Sequence, residues 1–124
     1  MSETSQATIK RADSIEYERV GAAEGMQKGV LIDSEDGAPN FAIRRFVIES
    51  GASVPKHTNE IEHEQYVLEG EYVVGIEDEE HVVSAGDSIF IPAGVVHWYR
   101  NESEEPGAFI CAVPNGDDEI ELAE

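Results

Sequence analysis

The chain holds 124 residues, 40% of them hydrophobic, which suffices for one domain that buries about two thirds of its unfolded surface. Asp and Glu number 27 against 8 Lys and Arg, a formal net charge of -19, and such a field repels nucleic acid and anionic membrane surfaces alike. No apolar run approaches the roughly 20 residues of a membrane helix, the opening MSETSQATIK lacks the apolar centre of a signal peptide, and a lone Cys111 rules out an intramolecular disulfide, so a cytoplasmic protein is expected.

Residues 1–7 are polar and precede a single folded domain over 8–114. Its first part offers short strand candidates, the alternating IEYERV (15–20) and the compact GVLI (29–32). SEDGAPN (34–40) is a turn cluster, FAIRRFVIE (41–49) a strong strand and SGAS (50–53) a second turn. EQYVLEGEYVVGI (64–76) reads as two strands joined in a hairpin at 69–71. EDEEHVVS (77–84) holds a turn and a short strand, SAGD (84–87) turns again, and SIFIP (88–92), HWYR (97–100) and AFICAVP (108–114) are the remaining strands. The tail NGDDEIELAE (115–124) is acidic and expected to be mobile. No stretch of eleven residues has helical periodicity, and many short strands between Gly and Pro turns predict an all-β sandwich or barrel.

The 64–70 strand is apolar on both faces: Val67 shares the face of His63, while Tyr66 and Leu68 lie on the other. A strand of that kind is expected to be covered on both sides. One side fills the barrel; the other meets a second sheet, the N-terminal strands or another subunit.

Three of the four histidines fall in two spaced segments, Gly51-x5-His57-x-Asn59-x3-His63-x6-Gly70 and Gly86-x5-Pro92-x-Gly94-x2-His97-x3-Asn101. Residues two apart on a strand share a face, so His57 and Asn59 point inward together, while His63 and His97 open later strands. Three imidazoles about 2.0–2.2 Å from one point make a site for Zn, Fe, Mn, Ni or Cu. The glycines and Pro92 belong to turns, and Asn101 is expected to cap a turn with its side chain.

These segments resemble the two signature motifs of the cupin superfamily, and 86–101 matches that pattern at every defined position. The resemblance covers residues 40–114. It implies a double-stranded β-helix, or jelly-roll barrel, holding one divalent transition metal (Mn, Fe, Zn, Ni or Cu), and a homodimer built through outer sheet faces. The usual first motif supplies His-x-His and then Glu; here Asn59 replaces the second His and His63 replaces the Glu. HEQYVLEG (63–70) is similar to a subset of small cupins whose site is all histidine, so the implied metal ligands are His57, Asn59, His63 and His97. Asn59 either contributes its carbonyl oxygen or turns away and leaves three imidazoles with open positions. All four groups are neutral, and a divalent centre without a compensating carboxylate favours hydroxide, carboxylates and enolates. In its acid excess the chain also resembles proteins of halophilic archaea.

Gln65 shares the parity of His63 and Tyr99 that of His97; they are the candidate catalytic residues, Gln65 to line the pocket or orient a ligand and Tyr99 to donate a hydrogen bond, with core packing the other reading of Tyr99. Arg44 and Arg45 lie on opposite faces of one strand, so at most one points inward; either is suited to bind a substrate carboxylate, and a surface ion pair is the plainer role in so acidic a chain. Trp98 is expected outside the barrel, and His81, Glu62 and Glu64 are expected on the surface. The function these residues support is a metal-binding small cupin, acting by oxygenase-type or Lewis-acid chemistry on a small organic acid or phenolic compound. The alternative is a non-catalytic small-molecule-binding or structural cupin dimer.

Overall fold

A computed structural model describes residues 7–115 and 120–122. Among them the regular elements are strands and two 3₁₀ turns, Ala12–Ser14 and Ser34–Asp36. In chain order the strands are β1 Tyr17–Arg19, β2 Glu24–Ile32, β3 Phe41–Asn59, β4 His63–Glu69, β5 Glu71–Ile76, β6 Glu79–Ser84, β7 Ser88–Ile91, β8 His97–Arg100, β9 Gly107–Pro114 and β10 Ile120–Leu122. They form one curled sheet, an all-β jelly roll.

The curl is made by β3, which is 19 residues long. Its first half pairs with β9 (Phe41↔Pro114 to Ile48↔Gly107) and with β2 on its other edge. Its second half pairs with β8 (Ser53↔Arg100, His57↔His97) and β10 (Asn59↔Ile120). One wall is therefore β1-β2-β3-β9-β4-β7 and the other is β6-β5-β8-β3-β10, with β3 shared. The SGAS segment is thus not a turn. It lies within β3, where Gly51 at φ +81° bends the strand without ending it, since glycine alone takes that angle at little cost.

Three further expectations are corrected. Of IEYERV only Tyr17–Arg19 is strand, paired with β2. The strands on either side of Gly70 do not form a hairpin: β4 pairs with β7 and β9, whereas β5 pairs with β6 and β8. Gly70, at φ +82°, carries the chain from one wall to the other. The hairpin falls one strand later, where β5 and β6 pair through Ile76↔Glu79. Within the acidic tail, Ile120–Leu122 is a strand against β3, and the rest of 116–124 lies outside the described residues.

Inward residues alternate along each strand, as a period of two requires. Met26, Ile48, Val67, Tyr72, Val74, Phe109 and Val113 are buried between the walls. Phe109 stacks on Phe46 at 5.0 Å and on Tyr99 at 5.5 Å between ring centroids. Each such side chain contributes about 1.5–3 kcal/mol through burial. Asn101 caps as expected: its Nδ2 donates to the carbonyls of Ile48 (3.0 Å) and Glu105 (2.9 Å), and its Oδ1 accepts from Ser103 N (3.0 Å). That locks the 101–107 loop to β3. On β4 only the inner face is covered. Val67 is fully buried, but Tyr66 on the outer face is 50% exposed, beside Phe90 of β7 at 56%.

Candidate metal centre

The shared strand β3 brings the two histidine segments together. His57 lies opposite His97 in the β3–β8 register, and the Gly94 N–H donates to the Asn59 carbonyl at 2.9 Å, tying the loop before β8 to the end of β3. His63 opens β4 on the facing wall, opposite Ile91. His57, Asn59, His63 and His97 are all buried, His97 at 1% exposure. The His97 ring meets His57 at 4.2 Å between centroids and His63 at 6.1 Å, so His97 is the middle member. Among the described residues, no group of three or more His, Cys, Asp or Glu side chains is placed so that it could hold a metal ion as it stands. The imidazoles are neighbours with His63 standing furthest out, and a shell would need that ring to close in.

Hydrogen bonds fix two of the rings. Nδ1 of His57 lies 2.8 Å from the Pro55 carbonyl, and Nδ1 of His97 lies 2.9 Å from the Val95 carbonyl. A carbonyl can only accept, so each Nδ1 carries the proton and the basic lone pair is on Nε2. Both bonds reach back two residues along the chain, so the backbone that positions each ring also sets its tautomer. Metal-ligating histidines are held by such outer hydrogen bonds.

Asn59 Oδ1 and Gln65 Oε1 are both buried and make no hydrogen bond in the structure. Leaving a buried acceptor unsatisfied costs about 1–3 kcal/mol. Both residues line the cavity the imidazoles share. The centre thus offers imidazole nitrogens, two amide oxygens and, among the described residues, no buried carboxylate. That donor set fits a divalent transition ion, which would satisfy the orphaned oxygens. His57, His63, His97 and Asn59 are the residues that could hold one. Gln65 Nε2 donates to the Tyr99 hydroxyl at 2.7 Å, and the Tyr99 ring stands edge-on to His97, 5.8 Å between centroids. Tyr99 is therefore both core packing and pocket wall.

The cavity over these residues has a volume of about 710 Å³. Val54, Phe46 and Phe109 form its apolar sides, and 3₁₀ and strand residues from Lys10 to Ala22 border its exposed end. Of the two arginines that the sequence placed on opposite faces of one strand, the one that points inward is Arg44. Its side chain is buried, with Nη2 at 3.6 Å from the Cys111 sulfur and the guanidinium over the Phe46 ring, 5.3 Å from the centroid. The signal was its alternation with Ala42, Phe46 and Ile48 on the inner face of β3. Arg45, facing out, takes the surface ion pair, 3.1 Å to Glu69.

The remaining candidates fall where the sequence put them. His81 is exposed beside Glu79 at 3.7 Å. Trp98 packs over Gly75, leaving no room there for a side chain, with Lys56 4.9 Å above its ring. Glu62 and Glu64 are exposed, and their shared hydrogen bond raises the Glu64 carboxyl above its ordinary range.

Comparison with known proteins agrees with this geometry. Residues 44–113 match the family model described as Cupin domain. The chain belongs to the cupin family. An uncharacterised protein of Aquifex aeolicus is 32% identical over 77% of this cupin and 75% of its own length. The polyketide cyclase RemF from Streptomyces resistomycificus is 28% identical, with a TM-score of 0.89 over 96% of this chain and 87% of the other. A cupin-2 domain from Rhodospirillum rubrum is 19% identical with a TM-score of 0.80, over 94% and 80% of the two chains, a likeness of fold. These relatives are bacterial and give no support to the archaeal, salt-adapted origin that the acidity suggested.

Proposed function

We propose that this cupin is a metal-dependent enzyme that assists bond-making next to a carbonyl or phenol oxygen of a small organic substrate by Lewis-acid chemistry. The observation that carries this reading is the pair of buried amide oxygens, Asn59 Oδ1 and Gln65 Oε1, left without hydrogen bonds beside three imidazoles in one cavity. Unsatisfied acceptors persist in a core where function retains them. The 28% identity to a polyketide cyclase over nearly the whole chain supports a cyclase-type reaction over an oxygenase-type one.

His57, His63, His97 and Asn59 would hold the ion, which when bound would polarise the substrate oxygen and ease loss of the neighbouring proton. The protein's own groups then have defined tasks. The Pro55 and Val95 carbonyls keep His57 and His97 in one tautomer. The Tyr99 hydroxyl accepts from Gln65, which directs its own proton away from Gln65 and makes it a donor to a substrate oxygen. Val54, Phe46 and Phe109 exclude water from the reacting end of the cavity.

Elemental analysis of untagged protein purified without chelator tests the reading. We expect near-stoichiometric divalent metal in the wild type and its loss, by at least about 100-fold in affinity, in His97→Ala, because His97 is the ring between the other two. A wild type that neither carries metal nor retains added metal would sink it.

We also propose that a second copy of this chain covers the outer face of β4 and β7, where Tyr66, Leu68 and Phe90 are exposed together. Light scattering should then give twice the 13.6 kDa chain mass, reduced to a single chain by Tyr66→Glu with Phe90→Glu; a wild-type monomer would exclude it.

A further inference from the structure

We infer that β10 is the positioning strand of the metal centre: its pairing with β3 holds the backbone that carries His57 and Asn59, and metal occupancy in turn strengthens that pairing. This rests on the functional reading above for the role of the imidazoles.

The two halves of β3 are held very differently. Along the first half, β9 pairs with every residue from Phe41 to Ile48, and β2 lies on the other edge. Past Gly51 the ladder to β8 thins. It joins Ser53 to Arg100 and Val54 to Tyr99, shifts register, and resumes only at His57 with His97. The interruption falls on Lys56 and on Pro55, which has no N–H to donate. Because β8 begins at His97, it offers no partner to Thr58 or Asn59.

β10 supplies what β8 lacks. It runs antiparallel to this end of β3, with Leu122 opposite His57, Glu121 opposite Thr58 and Ile120 opposite Asn59. His57 is paired with His97 as well, so β10 lies on the other edge. Without β10, Thr58 and Asn59 keep no strand partner among the described residues, and their stretch becomes a strand end of the kind that opens first. His97, in contrast, keeps β5, through Ile76. The His57 ring depends on the same stretch, since its Nδ1 bonds to the Pro55 carbonyl, within the interruption. Metal donors must be held to within about 0.5 Å of their working positions. Pairing that stills residues 57–59 therefore adds to metal affinity. By linkage, the factor that docked β10 adds to metal binding is the factor that metal adds to docking.

The test is made in the full chain. Ile120→Pro with Glu121→Pro removes the N–H groups of two adjacent β10 residues, which breaks the ladder whichever of them bonds to β3. Ala123→Pro with Glu124→Pro places the same two prolines just beyond β10 and serves as the control. In chelated protein, we expect the 57–59 amides of the β10 variant to exchange about 10-fold or more faster than those of the wild type, with 43–48 unchanged. Its zinc affinity, read by chelator competition at a temperature where every variant is folded, should fall about 10-fold or more, with the control like the wild type. Added zinc should also slow exchange of the 120–122 amides in the wild type. A strand with a structural role alone would lower the unfolding midpoint and leave the zinc affinity of the folded protein unchanged, and that result would overturn the inference, as would unchanged exchange at 57–59. Should the β10 variant fail to fold, the wild type decides, and no slowing at 120–122 would overturn it. A wild type that binds no zinc sinks the functional reading, and the slowly exchanging Nδ1 protons of the metal-free protein then decide. Loss of the His57 signal in the β10 variant, with that of His97 kept, retains β10 as the strand that positions His57; equal signals in both proteins would overturn it.

Discussion

Asn59→His should tighten metal retention by about 10-fold or more, because it converts an orphaned amide oxygen into a further imidazole nitrogen on the same face as His57. The wild-type centre mixes nitrogen with harder amide oxygen; the variant is all nitrogen and should shift toward ions that prefer it. Competition against a chromogenic chelator measures this, and unchanged affinity would mean that Asn59 takes no part in the centre. Asn59→Leu makes the converse case. It removes an unsatisfied buried acceptor, so the metal-free fold should gain about 1 kcal/mol while metal binding weakens. Stability and function moving in opposite directions at one residue is a signature that packing alone does not produce.

Gly70→Ala should destabilise the fold by about 3 kcal/mol, near 10 °C in Tm. Gly70 is at φ +82°, where any other residue is strained, and a Cβ there would lie 2.5 Å from the Pro106 carbonyl oxygen and 2.7 Å from Gly107 Cα. Both obstacles are backbone, held by the Asn101 hydrogen bonds to Ile48 and Glu105, and neither can swing aside as a side chain would. Chemical denaturation reads the effect, and a loss below about 1 kcal/mol would show that the crossing between the walls is soft.

Alternation told which way side chains face, and that is why the site was legible. The parity of His57 with Asn59, of His63 with Gln65 and of His97 with Tyr99 is realised in the fold, with all six buried. Alternation does not tell which strand lies beside which. Gly70 between two apolar runs reads as a hairpin, yet its positive φ serves a crossing between walls, and only the crowding against Pro106 distinguishes the two. Gly51 reads as a turn, yet here a positive φ bends a continuous strand. Arg44 was legible in principle from its place between Ala42 and Phe46; its charge argued for the surface, and the inner-face period prevailed. The β10 pairing depends on a partner more than sixty residues away along an acidic tail, and nothing local announces it.

The shared strand β3 also dictates when the protein can take shape during its synthesis. Its partners β8 and β9 are made long after it, and the chain grows at about 5–20 residues per second. Until they emerge from the ribosome, β3 has only β2 to pair with, and it waits with unsatisfied edges and an exposed apolar face. His57 and His63 are out before His97 exists, so the centre cannot assemble on a nascent chain. On the proposed reading, metal capture would be deferred to the finished polypeptide. A copy truncated before β9 would have neither the pocket nor the means to hide the strand that builds it, which marks it for aggregation or proteolysis.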